Sequence, residues 1–393
     1  MKFFHISDLH IGKQLHHYNL REDQKYILEQ IIELAKKESP DAILIAGDIY
    51  DSGVPSAEAV ELFDFFLTGL SNEVPETSIL VIGGNHDNGK RLSFARDILA
   101  RQRIYVAGLP PVNPGEHIKK VTLEDAWGKV NFYLLPFTKP SHLRRIKEEP
   151  VSSYQEALEY LLEREEINRE ERNVVLSHQF YTSSGKKPSQ SDSETLSVGG
   201  IDQVDVSVLK DFDYGALGHI HKAQNMGELI RYCGTPLAYS VSEAEQVKSV
   251  TVVLMEEKGK VPTVEEIPLS PLRQVRKLKG SLYEILCMAQ GSIPEDYVSI
   301  TLTDEIEAYE PSQQLKELYP RILELGVDNM RTRKAMDFSG EDVEELDPLT
   351  AFNRFFLEMT GREMTQEEQK LAESVVLKCT METGEGENEA NIS

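Results

Sequence analysis

Apolar residues in the first third of the chain fall into short unbroken runs, separated by longer stretches where they recur every three or four positions. Phe3–Ile6, Ala42–Ala46 and Ile79–Ile82 are runs of the first kind and predict buried strands. Between them, Arg21–Lys37 sets Ile27, Ile31 and Leu34 among charged residues, which is helical spacing. Pro55-Ser56 opens a second helical stretch that carries Val60, Phe63 and Leu67. Further strands are predicted at Asn131–Leu135, Val174–Leu176, Tyr214–Leu217 and Ser249–Met255, the last closing the domain. Strand–helix–strand repetition of this kind predicts a layered α/β domain.

The pattern restarts after the prolines clustered in Pro262–Pro271. Strands are expected at Val275–Lys277 and Tyr297–Leu302, helices at Leu282–Ala289 and Gln313–Leu325, and a last strand at Asn329–Arg333. The boundaries that follow are 1–268, 269–336 and 337–393. The second module is flanked by Arg273, Arg276, Lys277 and Lys279, and by Arg331, Arg333 and Lys334. These basic residues suit either an ordinary solvated face or contacts to phosphate. In the third segment Asp347-Pro348 suits a helix start, and Phe352, Phe355, Phe356 and Met359 share one helical face. Such a face packs either on a partner or on its own chain. Thr365-x-x-Glu368 is a capping box for a second helix, and the polar tail from Thr383 is expected to be disordered.

Composition narrows the class. The chain has 393 residues, 40% of them hydrophobic, enough for more than one core. Cys233, Cys287 and Cys379 show no zinc-ribbon or disulfide spacing, and neither a signal peptide nor a membrane span fits. A soluble cytoplasmic protein is expected. The net charge of −24 is unusual for a protein that meets nucleic acid. From Asp337 onward, however, fifteen Asp and Glu face four Lys and Arg, a net of −11, so nearly half of the charge sits in the last segment. It is therefore weak evidence against a DNA substrate.

The chemistry-bearing residues stand where strands end. Asp8-x-His10, Gly47-Asp48-x-x-Asp51, Gly84-Asn85-His86-Asp87, His178 and Gly218-His219-x-His221 each follow or close a predicted strand. In layered α/β domains ligands gather beyond the carboxyl ends of the strands. Asp8, His10, Asp48, Asn85, His178, His219 and His221 are thus expected to form one metal cage. Mixed oxygen and nitrogen donors without thiolate suit Mn²⁺, Fe or Zn²⁺. Two cations sharing the Asp48 carboxylate would neutralise a phosphoryl group during hydrolysis. His86 is the candidate donor toward the leaving oxygen, with Asp51 expected to hold its imidazole. His5, His16, His17, His117 and His142 match no such block and read as structural or surface residues.

These blocks resemble the calcineurin-like metallophosphoesterases, whose pattern runs D-x-H, G-D, G-N-H-D/E, H and G-H-x-H. The resemblance is more specific still. Ile45-Ala-Gly-Asp-Ile-Tyr-Asp-Ser-Gly-Val-Pro-Ser, Tyr232-Cys-Gly-Thr-Pro-Leu and Pro271-Leu-Arg-Gln-Val-Arg-Lys-Leu-Lys-Gly are similar to the bacterial SbcD family of nuclease subunits. It implies a layered β-sandwich domain flanked by helices, a small α/β capping domain that contacts DNA, and C-terminal helices. It further implies Mn²⁺-dependent 3'–5' exonuclease and endonuclease action on DNA ends and hairpins, in repair and recombination. The implied assembly is a homodimer within a heterotetramer whose other subunit is an SbcC-type ATPase with a coiled coil. That ATPase is a separate chain, because no G-x-x-x-x-G-K-[ST] loop occurs here. Aspartate at 51 departs from the archaeal and eukaryotic branch, which commonly has histidine there. A phosphatase or phosphodiesterase for small substrates is the competing reading.

Overall fold

The structure is a computed structural model that describes residues 1–194, 202–289, 293–304 and 312–328, with single positions between 352 and 372. Two six-stranded sheets face each other. The first runs in the order Thr263–Pro268, Ser249–Leu254, Lys2–Ile6, Ala42–Ala46, Ser78–Ile82, Ile104–Ala107, its last four strands parallel. The second runs Gln224–Asn225, Ile230–Tyr232, Tyr214–Gly218, Arg172–His178, Gly128–Leu135, Lys119–Asp125, with its four middle strands parallel.

Side chains that alternate along each strand explain the layering. Ala42, Leu44 and Ala46 point into the space between the sheets, where they meet Phe132, Val174, Leu176 and Tyr214. Ile43 and Ile45 point the other way, onto Ile27, Leu28 and Ile31 of the helix Arg21–Glu38 and Leu62 and Phe66 of the helix Ala57–Glu73. Ser56 caps the latter by accepting from Ala59 N. On the outer face of the second sheet, Tyr133, Val175 and Leu217 pack against Leu158 and Leu161 of the helix Tyr154–Glu163. Strands covered on both faces explain the continuous apolar runs.

The second module is a three-stranded parallel sheet of Val275–Gly280, Tyr297–Leu302 and Ile322–Val327, with helices Leu282–Met288 and Ser312–Leu318. The helix expected to reach Leu325 stops at Leu318, and its second half is instead the third strand. Pro320 disfavours helix at Tyr319, and Ile322–Val327 continues as sheet. A final strand at Asn329–Arg333 lies outside the described residues, as do the linker, most of the Phe/Met face and the tail. Two of the basic flank residues are engaged internally. Arg273 pairs with Asp23 at 2.9 Å and Glu22 at 2.8 Å, and Arg276 with Asp296 at 2.6 Å. Contacts divide the chain into two compact units, Met1–Val327 and Asp328–Ser393. Among the described residues no helix is long and apolar enough to cross a membrane.

Arg172 opens the strand that ends at His178, and it is buried. Its guanidinium donates to Asp125 at 2.5 Å, Gly128 O at 2.6 Å and Glu256 O at 2.8 Å. Arg172→Met keeps the bulk but leaves these acceptors unpaired, so unfolding stability should fall by about 3 kcal/mol. A urea midpoint equal to that of the wild type would refute this account of Arg172.

Candidate metal centre

The loops that follow Lys2–Ile6 and Ala42–Ala46 run side by side, stitched by Asp8 N to Gly47 O (2.9 Å), His10 N to Asp48 O (3.0 Å) and Ile11 N to Ile49 O (2.9 Å). Asp8, His10, Asp48 and His219 all adopt positive φ, at 52°, 42°, 50° and 99°. Such a backbone costs non-glycine residues roughly 1–2 kcal/mol each and persists where surrounding structure enforces it. Two glycines allow the approach. A Cβ on Gly84 would overlap Asp48 Oδ1, and one on Gly47 would overlap His178 Nδ1. Asp87 locks the strand ends together by accepting from Ile49 N, Tyr50 N and Gly84 N at 2.9–3.1 Å. Burial, and then the charge of Asp48, push the Asp87 carboxyl up to about 6.

The seven expected cage residues converge at this rim. Asp8, His10 and His221 place donor atoms within 4.8 Å of one another, as do Asp8, Asp48 and His178. Asp48 Oδ2 lies 3.3 Å from His178 Nε2 and 3.7 Å from His10 Nε2, so its carboxylate stands between the two groups. Asn85 Oδ1 is 3.0 Å from both His178 Nε2 and His219 Nδ1. His178 Nδ1 donates to Ala46 O at 2.8 Å, which leaves Nε2 of the neutral ring free to ligate.

Divalent cations fit these residues. Both ring nitrogens of His10 are buried without a hydrogen-bond partner among the described residues, although Asp51 Oδ1 lies 3.3 Å from Nδ1. Such orphaned donors are rare in a folded core and are expected in a metal ligand. Charge points the same way. Burial, and to a lesser degree Asp48, raise the Asp8 carboxyl. Burial opposes a charged His178, yet Asp48 and Asp8 outweigh it and lift that imidazole to about 9. His219 goes down to about 3, through burial and the charge of His178.

His86 and Asp51 sit beside the cage, but their expected link is different. His86 Nδ1 donates to the backbone carbonyl of Asp51 at 2.9 Å, while His86 N donates to Asp48 Oδ1 at 2.9 Å. The Asp51 carboxylate turns to His10 Nδ1 at 3.3 Å and Lys13 Nζ at 2.8 Å. Burial works against the Asp51 charge, but the nearby His10 imidazole and the Lys13 ammonium bring it down to about 2. His5 is structural, as expected: it is buried, and its nitrogens meet Tyr214 Oη at 3.0 Å and Leu217 O at 3.1 Å.

Sequence reasoning misses the residues behind His221. Ser193 Oγ lies 2.7 Å from His221 Nδ1, Glu194 Oε1 accepts from His221 N at 2.8 Å, and the buried pair Glu243–Lys248 closes at 2.5 Å. No local pattern marks them, because Ser193 and Glu243 meet only through folding.

Residues 1–223 match the family described as calcineurin-like phosphoesterase. Residues 271–360 match one described as type 5 capsule protein repressor C-terminal domain. The D component of the nuclease SbcCD from Staphylococcus epidermidis is 31% identical over 372 residues, covering 93% of this chain and 95% of that protein. Its counterpart in Staphylococcus saprophyticus subsp. saprophyticus is 30% identical over 383 residues, 96% of this chain and 98% of that protein. A solved structure of a dimetal phosphatase from Danio rerio is similar at a TM-score of 0.39 and 14% identity, over 69% of this chain and 98% of that one.

The His178 shift has a measurable consequence. Its pKa is raised above the ordinary 6.5, so the metal-free pair with Asp48 adds stability fully below that value and loses it as pH rises through about 9. A metal ligand must be neutral, so cation uptake near neutral pH should release about one proton from this ring. Titration calorimetry in buffers of different ionisation enthalpy measures it. Binding heats independent of the buffer would show that His178 holds no such proton.

Proposed function

The chain belongs to the SbcD family of calcineurin-like phosphoesterases, and from that membership we propose a nuclease that uses two divalent cations to cleave phosphodiesters at DNA ends and hairpins. The observation that carries the reading is the Asp48 carboxylate standing between His10 and His178 at a rim that gathers the other donors. Asp8, His10, Asp48 and His221 would hold one cation, and Asp48, Asn85, His178 and His219 the other. Bound there, the pair supplies Lewis acidity that neutralises the phosphoryl group and acidifies water. Mn²⁺ suits these nitrogen and oxygen donors.

The chain's own residues orient and protonate. Asn85 contributes a neutral oxygen beside His178 and His219 and so adds no negative charge next to a phosphodiester. His86 is held by its backbone N–H on Asp48 and by Nδ1–H on the Asp51 carbonyl. In its protonated form it presents Nε2–H to the leaving oxygen. Asp51 acts one step back: its carboxylate orients His10 and is itself held by Lys13.

Partners follow from the same membership. The relatives' name places them in a two-component nuclease, and an SbcC-type ATPase is the partner proposed for this chain. Its docking site is assigned to the segment 337–393 with the Phe352, Phe355, Phe356 and Met359 face, and the module 269–336 to DNA contact. The assembly is a homodimer of nuclease subunits within a heterotetramer, acting with 3'–5' exonuclease and endonuclease modes in the cytoplasm.

Digestion of hairpin and linear DNA with Mn²⁺, beside an aryl phosphodiester, tests the substrate. Wild type should cleave the DNA, and His86→Gln should lose about 10²-fold or more while still binding cations. Hydrolysis of the aryl ester without DNA cleavage, even with the ATPase supplied, would favour a small-substrate phosphodiesterase. Deleting residues after Asp347 should abolish co-purification of the ATPase and spare aryl ester hydrolysis. Retained co-purification would place the docking site elsewhere.

A further inference from the structure

The two halves of the cage are oriented by different means. His178 takes its direction from Ala46 O, a carbonyl at the end of an inner strand of the first sheet. The His221 ring turns instead to side chains among the described residues. Its Nδ1 lies 2.7 Å from Ser193 Oγ, and Ser193 Oγ is 2.5 Å from Glu243 Oε1. A carboxylate only accepts, so the Ser193 proton points to Glu243 and the Ser193 lone pair faces His221. His221 must therefore carry its proton on Nδ1, leaving Nε2 for a cation beside Asp8 and His10.

Glu243 is built for this task. It is buried, and beyond Ser193 it receives Lys248 Nζ at 2.5 Å, Ser240 Oγ at 3.0 Å and Thr235 Oγ1 at 3.3 Å. The His221 backbone is fixed too: its N–H donates to Glu194 Oε1 at 2.8 Å, and its carbonyl accepts from Lys248 Nζ at 3.2 Å. Adjacent residues of one loop, Ser193 and Glu194, thus grip both the ring and the backbone of a single ligand.

Resting on the two-cation reading above, we propose that Ser193 and Glu243 are positioning residues that set the His221 tautomer for one of the two cations, and that this cation in turn seats the loop carrying Ser193 and Glu194. The coupling is reciprocal: whatever the relay adds to cation affinity, the cation adds to loop docking. The cation held by Asp48, Asn85, His178 and His219 does not depend on the relay, because the acceptor that orients His178 belongs to the sheet.

The test is titration of the full chain with Mn²⁺, read by calorimetry and electron paramagnetic resonance, for wild type, Ser193→Ala, Ser193→Thr and Glu243→Gln. Wild type should bind two ions. Ser193→Ala should weaken one of the two equilibria by about 10-fold or more and leave the other unchanged, and Ser193→Thr should restore it. Amide exchange in residues 183–194 should slow on Mn²⁺ addition in wild type and much less in Ser193→Ala. Glu243→Gln should behave like Ser193→Ala; should it unfold because Lys248 is left unpaired, the single-hydroxyl change decides alone. Two unchanged affinities, or equal weakening of both, would overturn the relay. Exchange in the loop that ignores Mn²⁺ would overturn the coupling. A wild type that fails to take up two ions would instead refute the cage reading, which keeps the two failures apart.

Discussion

Two carboxylates, Asp8 and Asp48, are buried together against the same imidazole, and the rest of the site answers that constraint. An uncompensated buried carboxylate costs several kcal/mol, and a pair repel as well. Among the described residues no lysine or arginine pairs with either; the chain offers neutral donors, His10, Asn85, His178, His219 and His221, arranged around the two. Without cations, His178 takes up a proton to balance the charge. With divalent cations the same ring would give up that proton and be free to ligate. The geometry suits a site that stores unfavourable charge in order to bind something positive tightly.

Holding that charge in place demands rigidity, and the sheets provide it. The strands that deliver Asp8, Asp48 and Asn85 are parallel neighbours in one sheet, and those that deliver His178 and His219 are parallel neighbours in the other. Their side chains interlock across a fully buried layer. That packing is what sustains four departures from ordinary backbone geometry at Asp8, His10, Asp48 and His219. The asymmetry between a sheet-fixed His178 and a loop-fixed His221 then follows from where each stands, one the last residue of its strand and the other three residues beyond the end of its own.

What is legible in the sequence is what is local. Strands buried on both faces show as apolar runs, and the Gly-Asp and Gly-Asn-His-Asp blocks at their ends carry donors and the turn glycines in a few residues. Strands with exposed positions leave no such run: Lys119–Asp125 and Thr263–Pro268 are largely polar, and the latter lies in a stretch whose prolines suggest a boundary. The Gln313–Leu325 stretch reads as one helix because its apolar spacing continues past Pro320, where the backbone cannot. Its place three residues after Asp48 assigns Asp51 to His86, yet the carboxylate finds the stronger partner in Lys13 and leaves its carbonyl to His86. Ser193 and Glu243 carry no motif at all, since fifty residues separate them.

The second module shows how a surface feature changes meaning once its partners are known. By sequence Arg273 belongs to a basic face, but its guanidinium is held by Glu22 and by Asp23, which also receives Tyr297 Oη at 3.0 Å. This charge fastens the module to the first turn of the helix Arg21–Glu38. The next residue of that turn, Gln24, donates to His10 O at 2.7 Å and Leu9 O at 3.3 Å. Module and metal ligand are therefore joined through adjacent side chains of one helical turn, with Tyr18 Oη on Pro320 O at 3.1 Å as a second tie.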